Sequence, residues 1–239
     1  MNEDYYSYVK EWFTKWAPVY DFTDVFASGI RKKVLEFTNA IEGSKILDVG
    51  TGTGKQAFAY AKKGYDVVGI DLSEDMLNVA NRKNRYGNVQ FELADAADMP
   101  FKDNHFDVSS VSFALHEMPL TVRQRVLKEI VRVTKTEGII VIVDYALPEN
   151  KIGRYLVYHI VRSVEGKYYP EFVKSDLKAL LRRLGIKIEK EVSIMLGASR
   201  ILRGLTRWER NLAHLGSIFS VPPINGRKTL GISTEPSFC

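Results

Sequence analysis

The sequence predicts an α/β fold built on a mostly parallel β-sheet. Three observations carry that expectation. Short, continuous apolar runs alternate with segments of helical spacing, the first run ends in a glycine-rich turn, and acidic residues stand just past the second and third runs. Continuous apolar runs belong to strands buried on both faces, which is what helices crossing over a parallel sheet produce.

The first run covers 45–49 and enters the glycine turn, and residues 55–63 follow with helical spacing. A second strand is expected at 66–70 and a helix at 73–81, with Ser73 as its N-cap. Glu74 and Asp75 fall in that helix's first turn, where acids suit the helix dipole. Strands three and four are expected at 89–93 and 106–111. Val122, Val126, Leu127, Ile130 and Val131 mark a helix over 122–133, and the β-branched run 139–143 is a fifth strand.

The flanks read differently. Tyr5, Tyr8, Trp12, Phe13 and Trp16 form one helical stripe; Pro18 interrupts it, and a second helix is expected over 23–37. Helices are expected at 152–163 and 173–184, an insert before a closing hairpin of 187–193 and 199–203 turning at Leu196-Gly197. The domain is therefore expected to span 1–204, with 205–239 as a C-terminal extension, partly helical or disordered. In that extension Trp208, Leu212, Leu215 and Phe219 recur at helical spacing before Pro222-Pro223. The extension is read as dispensable for ligand binding; its rival placement is against the core or a second subunit, as in a homodimer.

The chain has 239 residues, 45% hydrophobic and 26% charged, enough to bury a core without disulfides or metals. Its one cysteine, Cys239, permits no internal disulfide. The N-terminus lacks an apolar signal segment, and no apolar run approaches the ~20 residues of a membrane span; the expected location is the cytoplasm. Net charge is +5, but 151–239 carry 16 Lys and Arg against 7 Asp and Glu, while 1–150 carry 18 against 22. The basic residues are not interleaved with aromatics as in a nucleic-acid stripe, so no nucleic-acid partner is expected. Four scattered histidines suggest no metal centre.

The turn itself reads Asp48-Val49-Gly50-Thr51-Gly52-Thr53-Gly54. A dinucleotide fingerprint, G-x-G-x-x-G, would need the third glycine one residue later. A phosphate-binding P-loop would need glycine at Val49 and a hydroxyl at Gln56. The remaining reading is G-x-G-x-G with an acid two residues ahead, which suits a cofactor without a pyrophosphate. Asp48 would tie the loop or meet a cationic ammonium group. Asp71, about 20 residues on at a strand tip, suits two ribose hydroxyls. Asp95, past the third strand, suits an exocyclic amino group.

These residues, together with the segment 94–107 and the segment 127–134 before Gly138, resemble the class I S-adenosylmethionine (SAM)-dependent methyltransferases. Within them the chain is most similar to the branch containing the ubiquinone/menaquinone C-methyltransferases. The resemblance covers about 16–203. It implies a doubly wound, Rossmann-like sheet of seven strands, the last antiparallel. It also implies that Gly50 and Gly52 pack on SAM, that Asp71 holds the ribose and that Asp95 with Ala96 meets the adenine. Tyr20, Asp48, Thr51, Leu72, Met76 and Ser112 complete the implied cofactor set. The segment Leu115-His116-Glu117-Met118-Pro119 departs from the quinone enzymes. The acceptor is therefore taken as a small, partly apolar molecule. A related branch, the arsenite methyltransferases, uses several cysteines, which this chain lacks. The two alternatives carried are a nicotinamide-dependent oxidoreductase and a SAM-binding protein without transfer activity.

Methyl transfer from a sulfonium needs alignment and exclusion of water more than acid–base chemistry. Where a proton must leave, His116 or Glu117, just past strand four, is the expected catalytic group. Tyr145, at the end of strand five, and Tyr155, Tyr158 and His159, on one face of the insert helix, are expected to line the acceptor pocket.

Overall fold

The computed structural model describes residues 3–16 and 28–206. Tyr20 and the stretch from Trp208 to Phe219 lie outside them. Seven strands form one sheet: β1 (Lys45–Val49), β2 (Asp66–Asp71), β3 (Val89–Leu93), β4 (Phe106–Ser112), β5 (Thr134–Tyr145), β6 (Ile186–Ile194) and β7 (Ser199–Thr206). Their order is β3-β2-β1-β4-β5-β7-β6. All neighbours through β5 pair in parallel, and β7 alone runs antiparallel to both partners. The order reverses between β1 and β4. In such sheets that switch point opens a crevice at the strands' carboxyl ends.

Helices cover both faces because the apolar strands must be buried on both. On one face α1 (Glu3–Trp16), α5 (Leu120–Val133), α7 (Tyr169–Lys174) and α8 (Leu177–Arg183) supply Tyr5, Val126, Phe172 and Leu181 to a core with Leu47, Val111 and Ile142. On the other, α2 (Ser28–Thr38) and α3 (Lys55–Ala61) bring Val34, Ala57 and Tyr60 against Ile46, Val108 and Val143. α4 (Glu74–Lys83) begins as the sequence implied, with Ser73 Oγ accepting from Met76 N at 3.3 Å. No described helix is long and apolar enough to cross a membrane.

Among the described residues, three elements differ by more than two residues from the ranges the sequence predicts. β5 starts five residues early, at Thr134, because Thr134 pairs with Phe106 across an irregularity in the ladder. The second insert helix is two helices, α7 and α8. Ser175 is extended, and Asp176 starts a new helix by accepting from Ala179 N at 2.9 Å. The hairpin forms as expected, but β7 continues to Thr206, whose hydroxyl donates to Lys135 O at 2.6 Å. The sheet thus ends two residues past the 204/205 boundary. The insert between β5 and β6 comprises α6 (Lys151–Arg162), α7 and α8.

One side chain links the fold to the turn after β4. Arg123 of α5 is fully buried. Its guanidinium donates to Leu115 O at 3.1 Å, Met118 O at 2.9 Å and Ser175 Oγ at 3.1 Å, and it stacks on Phe172 at 4.8 Å. It closes the 3₁₀ turn Leu115–Glu117 onto α7. Arg123→Met keeps the stem's packing but strips two buried carbonyls of their donors, each costing ~1–3 kcal/mol. We expect urea unfolding to give a loss of about 2–4 kcal/mol; a variant as stable as the parent would show that the turn closes without it.

Candidate functional site

The glycine turn is built by two carboxylates, Asp48 buried and Asp71 half-buried. Asp48, the penultimate residue of β1, accepts from Thr51 Oγ1 at 2.7 Å. Asp71, ending β2, accepts from Gly52 N at 2.8 Å with one oxygen and from Ser73 N at 2.9 Å with the other. It therefore joins the two βα turns. Gly52 has φ +54°, and a Cβ there would meet no protein atom within 4 Å, so its free side faces open space. Gly54, at φ +81°, differs: a Cβ would lie 2.7 Å from the Phe91 ring. Gly54 is needed for packing, and Gly52 leaves room for a ligand.

That space comprises two cavities flanking the turn and sharing Gly50, Gly52, Ser112 and Phe113 in their walls. The first gathers Gly50, Gly52, Asp71, Leu72, Met76, Asp95, Ala96 and Ser112, all expected cofactor residues, together with Glu117. The second gathers Asp48, Thr51, Arg31, Lys55 and Gln56. Buried polar atoms without protein partners point into ligand chemistry. Gln56 Nε2 and Ser112 Oγ are two such atoms, and both residues line the second cavity. The donor set fits SAM: a diol acceptor at Asp71, an apolar slot at Leu72, Met76 and Ala96, and unsatisfied donors beside two cationic side chains for a carboxylate.

α1 roofs the first cavity with Tyr5, Val9 and Phe13. Tyr5 and Phe13 belong to the aromatic stripe expected on this helix; Val9, between them at i, i+4, i+8 spacing, is the member that a search for aromatics alone leaves out. Tyr6 donates to Asp95 Oδ2 at 2.7 Å, while Asp95 Oδ1 accepts from Ala97 N at 2.8 Å. The acid expected at the adenine is therefore already engaged by the roof. Burial raises the Asp48 pKa to about 7 despite the Thr51 hydrogen bond. Burial also raises that of Asp71, against three backbone donors.

A second cluster lies beside the first cavity. His116 is buried, with Nδ1 2.8 Å from Asp144 Oδ1 and Nε2 3.2 Å from Glu165 Oε2 and 3.5 Å from Glu117 Oε1. Burial would lower the imidazole pKa, but the charge and hydrogen bond of Asp144, then the bonds to Glu117 and Glu165, raise it well above its ordinary value. Both ring nitrogens lie within hydrogen-bond distance of carboxylates, so the catalytic role expected for His116 would require one of these contacts to open. Of the pair, Glu117 alone lines the cavity. Glu165, held by Tyr145 Oη at 2.5 Å, has a lowered pKa because the His116 bond and charge outweigh burial. Nothing local in the sequence marks Glu165, which lies in the insert.

The expected acceptor residues separate. Tyr145 packs against His116 and Phe113. Tyr155 and His159 are exposed on α6, which buries no residue, and Tyr158 is half-buried against Tyr169. None of these three lines either cavity. The helical spacing was right, but that face points away from the crevice.

Asp48 supplies a pH test. Its folded pKa, about 7, exceeds its ordinary 3.8. Between these values the unfolded chain has released the proton and the folded chain keeps it, so this group erodes stability as pH rises through that window. Asp48→Asn keeps an acceptor for Thr51 and removes the titration. We expect the melting temperature of the unliganded parent to fall relative to Asp48→Asn between pH 5 and pH 8. Parallel profiles would mean that Asp48 titrates normally.

Comparison with known proteins places this architecture. Residues 47–142 match the family described as a methyltransferase domain. The chain is 36% identical over 179 residues to the demethylmenaquinone methyltransferase of Staphylococcus carnosus, covering 66% of this chain and 73% of that one. It is 38% identical over 137 residues to the enzyme of that name from Renibacterium salmoninarum, covering 55% of this chain. It spans 56% of the length of that relative. A SAM-dependent methyltransferase structure from Aquifex aeolicus superimposes with a TM-score of 0.58 at 25% identity, over 73% of this chain and 88% of that one. These relationships set aside the nicotinamide-dependent alternative, and the chain belongs to the SAM-dependent methyltransferase family.

Proposed function

We propose that the protein transfers the methyl group of SAM to a small, partly apolar acceptor of the quinone class. The observation that carries it is the pair of cavities joined at the glycine turn, with a diol acceptor on one side and unsatisfied donors on the other. The relatives named demethylmenaquinone methyltransferase support the acceptor class, as do the aromatic walls of Tyr5, Phe13 and Phe113. SAM supplies an electrophilic methyl group on a sulfonium.

The chain's own residues bind and align. Asp71 accepts the ribose hydroxyls on the lone pairs not used by Gly52 and Ser73. Gln56 and Ser112 donate to the amino-acid end. Tyr5, Val9 and Phe13 exclude water from above, which strengthens each polar contact below. Asp48 sits under the turn and favours a cationic ligand, which would offset the cost of its buried charge. Glu117 presents the cavity's polar group to the acceptor. Residues 207–239 are proposed to be dispensable for cofactor binding, which truncation after Thr206 tests.

S-adenosylhomocysteine should bind in the micromolar range by calorimetry, about −8 kcal/mol at 1 μM. Asp71→Ala should weaken it by ~1.5–3 kcal/mol, roughly 10–150-fold, through loss of a charged acceptor. Silence with both SAM and S-adenosylhomocysteine would sink the cofactor reading. Glu117→Gln should reduce turnover of a short-chain demethylmenaquinol with labelled SAM by ~10²-fold while cofactor affinity holds. Binding without any label transfer to that acceptor would reject the quinone class and leave the cofactor reading standing.

A further inference from the structure

The cluster around His116 has more negative charge than the protein neutralises. Asp144, Glu117 and Glu165 surround one imidazole, with side chains 0%, 10% and 22% exposed. Among the described residues, no lysine or arginine lies within ion-pair distance of any of the three. Arg123 of α5 lies near enough to interact with the charge of Asp144, but its ion pair is with Glu171, at 3.7 Å. Three carboxylates gathered around one cation in a buried site are costly unless a further positive charge joins them.

The geometry specifies what kind of charge. Asp144 accepts from Nδ1 of His116 and is itself fixed by Leu115 N at 3.0 Å and Tyr145 N at 2.8 Å. That is the carboxylate–histidine arrangement that orients an imidazole and raises its basicity toward a metal ion. It turns Nε2 toward Glu117 and Glu165. One ligand atom from each of these three residues falls within 4.8 Å of the others. The two Nε2–oxygen separations, 3.2 and 3.5 Å, are close to the edge of a tetrahedron with metal–ligand bonds of 2.0–2.1 Å, about 3.3–3.4 Å; the carboxylate–carboxylate edge lies within 4.8 Å, so a bound ion would draw the two glutamates together. The two carboxylates have supports of their own: Tyr145 Oη on Glu165 at 2.5 Å and Tyr8 Oη on Glu117 at 3.3 Å. Gly166 is part of the fit, since a Cβ there would collide with Glu117 Oε2 and Tyr8 Oη.

We propose that His116 Nε2, Glu117 and Glu165 bind one divalent first-row metal ion, zinc by donor set. One imidazole and two carboxylates are a borderline nitrogen–oxygen set, which disfavours magnesium and calcium. Three protein ligands leave a fourth position open, as in sites where zinc holds water or substrate. Glu117 lines the first cavity, so the open position would adjoin the proposed acceptor space.

The inference shares Glu117 with the proposed acceptor site, so it is tested by metal binding and without any turnover. The chain, free of any tag and stripped with a chelator, is titrated with zinc chloride by calorimetry. Cobalt chloride supplies a visible spectrum that reports tetrahedral coordination. We expect one zinc per chain with a dissociation constant below ~10 μM, and binding at least ~100-fold weaker in Glu165→Gln. Tyr145→Phe, which removes only the support of Glu165, should weaken zinc ~10-fold and serves if Glu165→Gln does not fold. S-adenosylhomocysteine affinity, measured alongside, should be unchanged in both variants. Zinc binding weaker than ~1 mM, or equal zinc affinity in parent and Tyr145→Phe or Glu165→Gln, overturns the proposal.

Discussion

A parallel sheet stops abruptly at its carboxyl edge, and the turns that follow hold N–H groups with no ladder partner. Here, buried or half-buried aspartates at the ends of β2, β3 and β5 meet them. Asp71 takes Gly52 N and Ser73 N, Asp95 takes Ala97 N, and Asp144 takes Leu115, His116 and Tyr145 N. Asp48, near the end of β1, adds a side-chain tie through Thr51. The site depends on this constraint, because the same carboxylates shape each turn and supply its polar surface.

Registration in the sheet brings those turns together. Val49 pairs with Ile70 on one side and Val111 on the other, so the turns after β1, β2 and β4 start at the same height. The reversal of strand order between β1 and β4 separates their helices onto opposite faces and leaves the crevice between them. Concentrating acid here has an energetic cost, visible in the raised pKa values of Asp48 and Asp71. A cationic ligand offsets such a cost, whereas an anionic one would add to it. The same reasoning connects the glycine turn, which suits a sulfonium cofactor, with the His116 cluster, which suits a metal ion.

The elements outside the sheet divide the remaining work. α1 closes the cavity with Tyr5, Val9 and Phe13 and reaches Asp95 through Tyr6. α5 holds the turn after β4 through Arg123, and Glu165, between α6 and α7, completes the His116 cluster. α6 takes no part in the cavity and leaves Ile152, Tyr155, Leu156 and Ile160 exposed.

The sequence by itself determined the parallel strands, the glycine turn and the acids at the strand ends. Each is a local requirement: an apolar run for a buried strand, glycine where a ligand approaches the backbone, an acceptor where turn N–H groups are stranded. Spacing also supplied the closing hairpin, although the extent of β5 and β7 depended on partners far along the chain. Only the tertiary structure decided which face of each amphipathic helix meets the crevice. A stripe of aromatics has the same period whether it roofs a cavity, as Tyr5 does, or lies on the surface, as Tyr155 does. It also decided the surroundings of His116. An imidazole's chemistry is set by its neighbours, and Asp144 and Glu165, 28 and 49 residues away in the chain, meet it only once the sheet has formed.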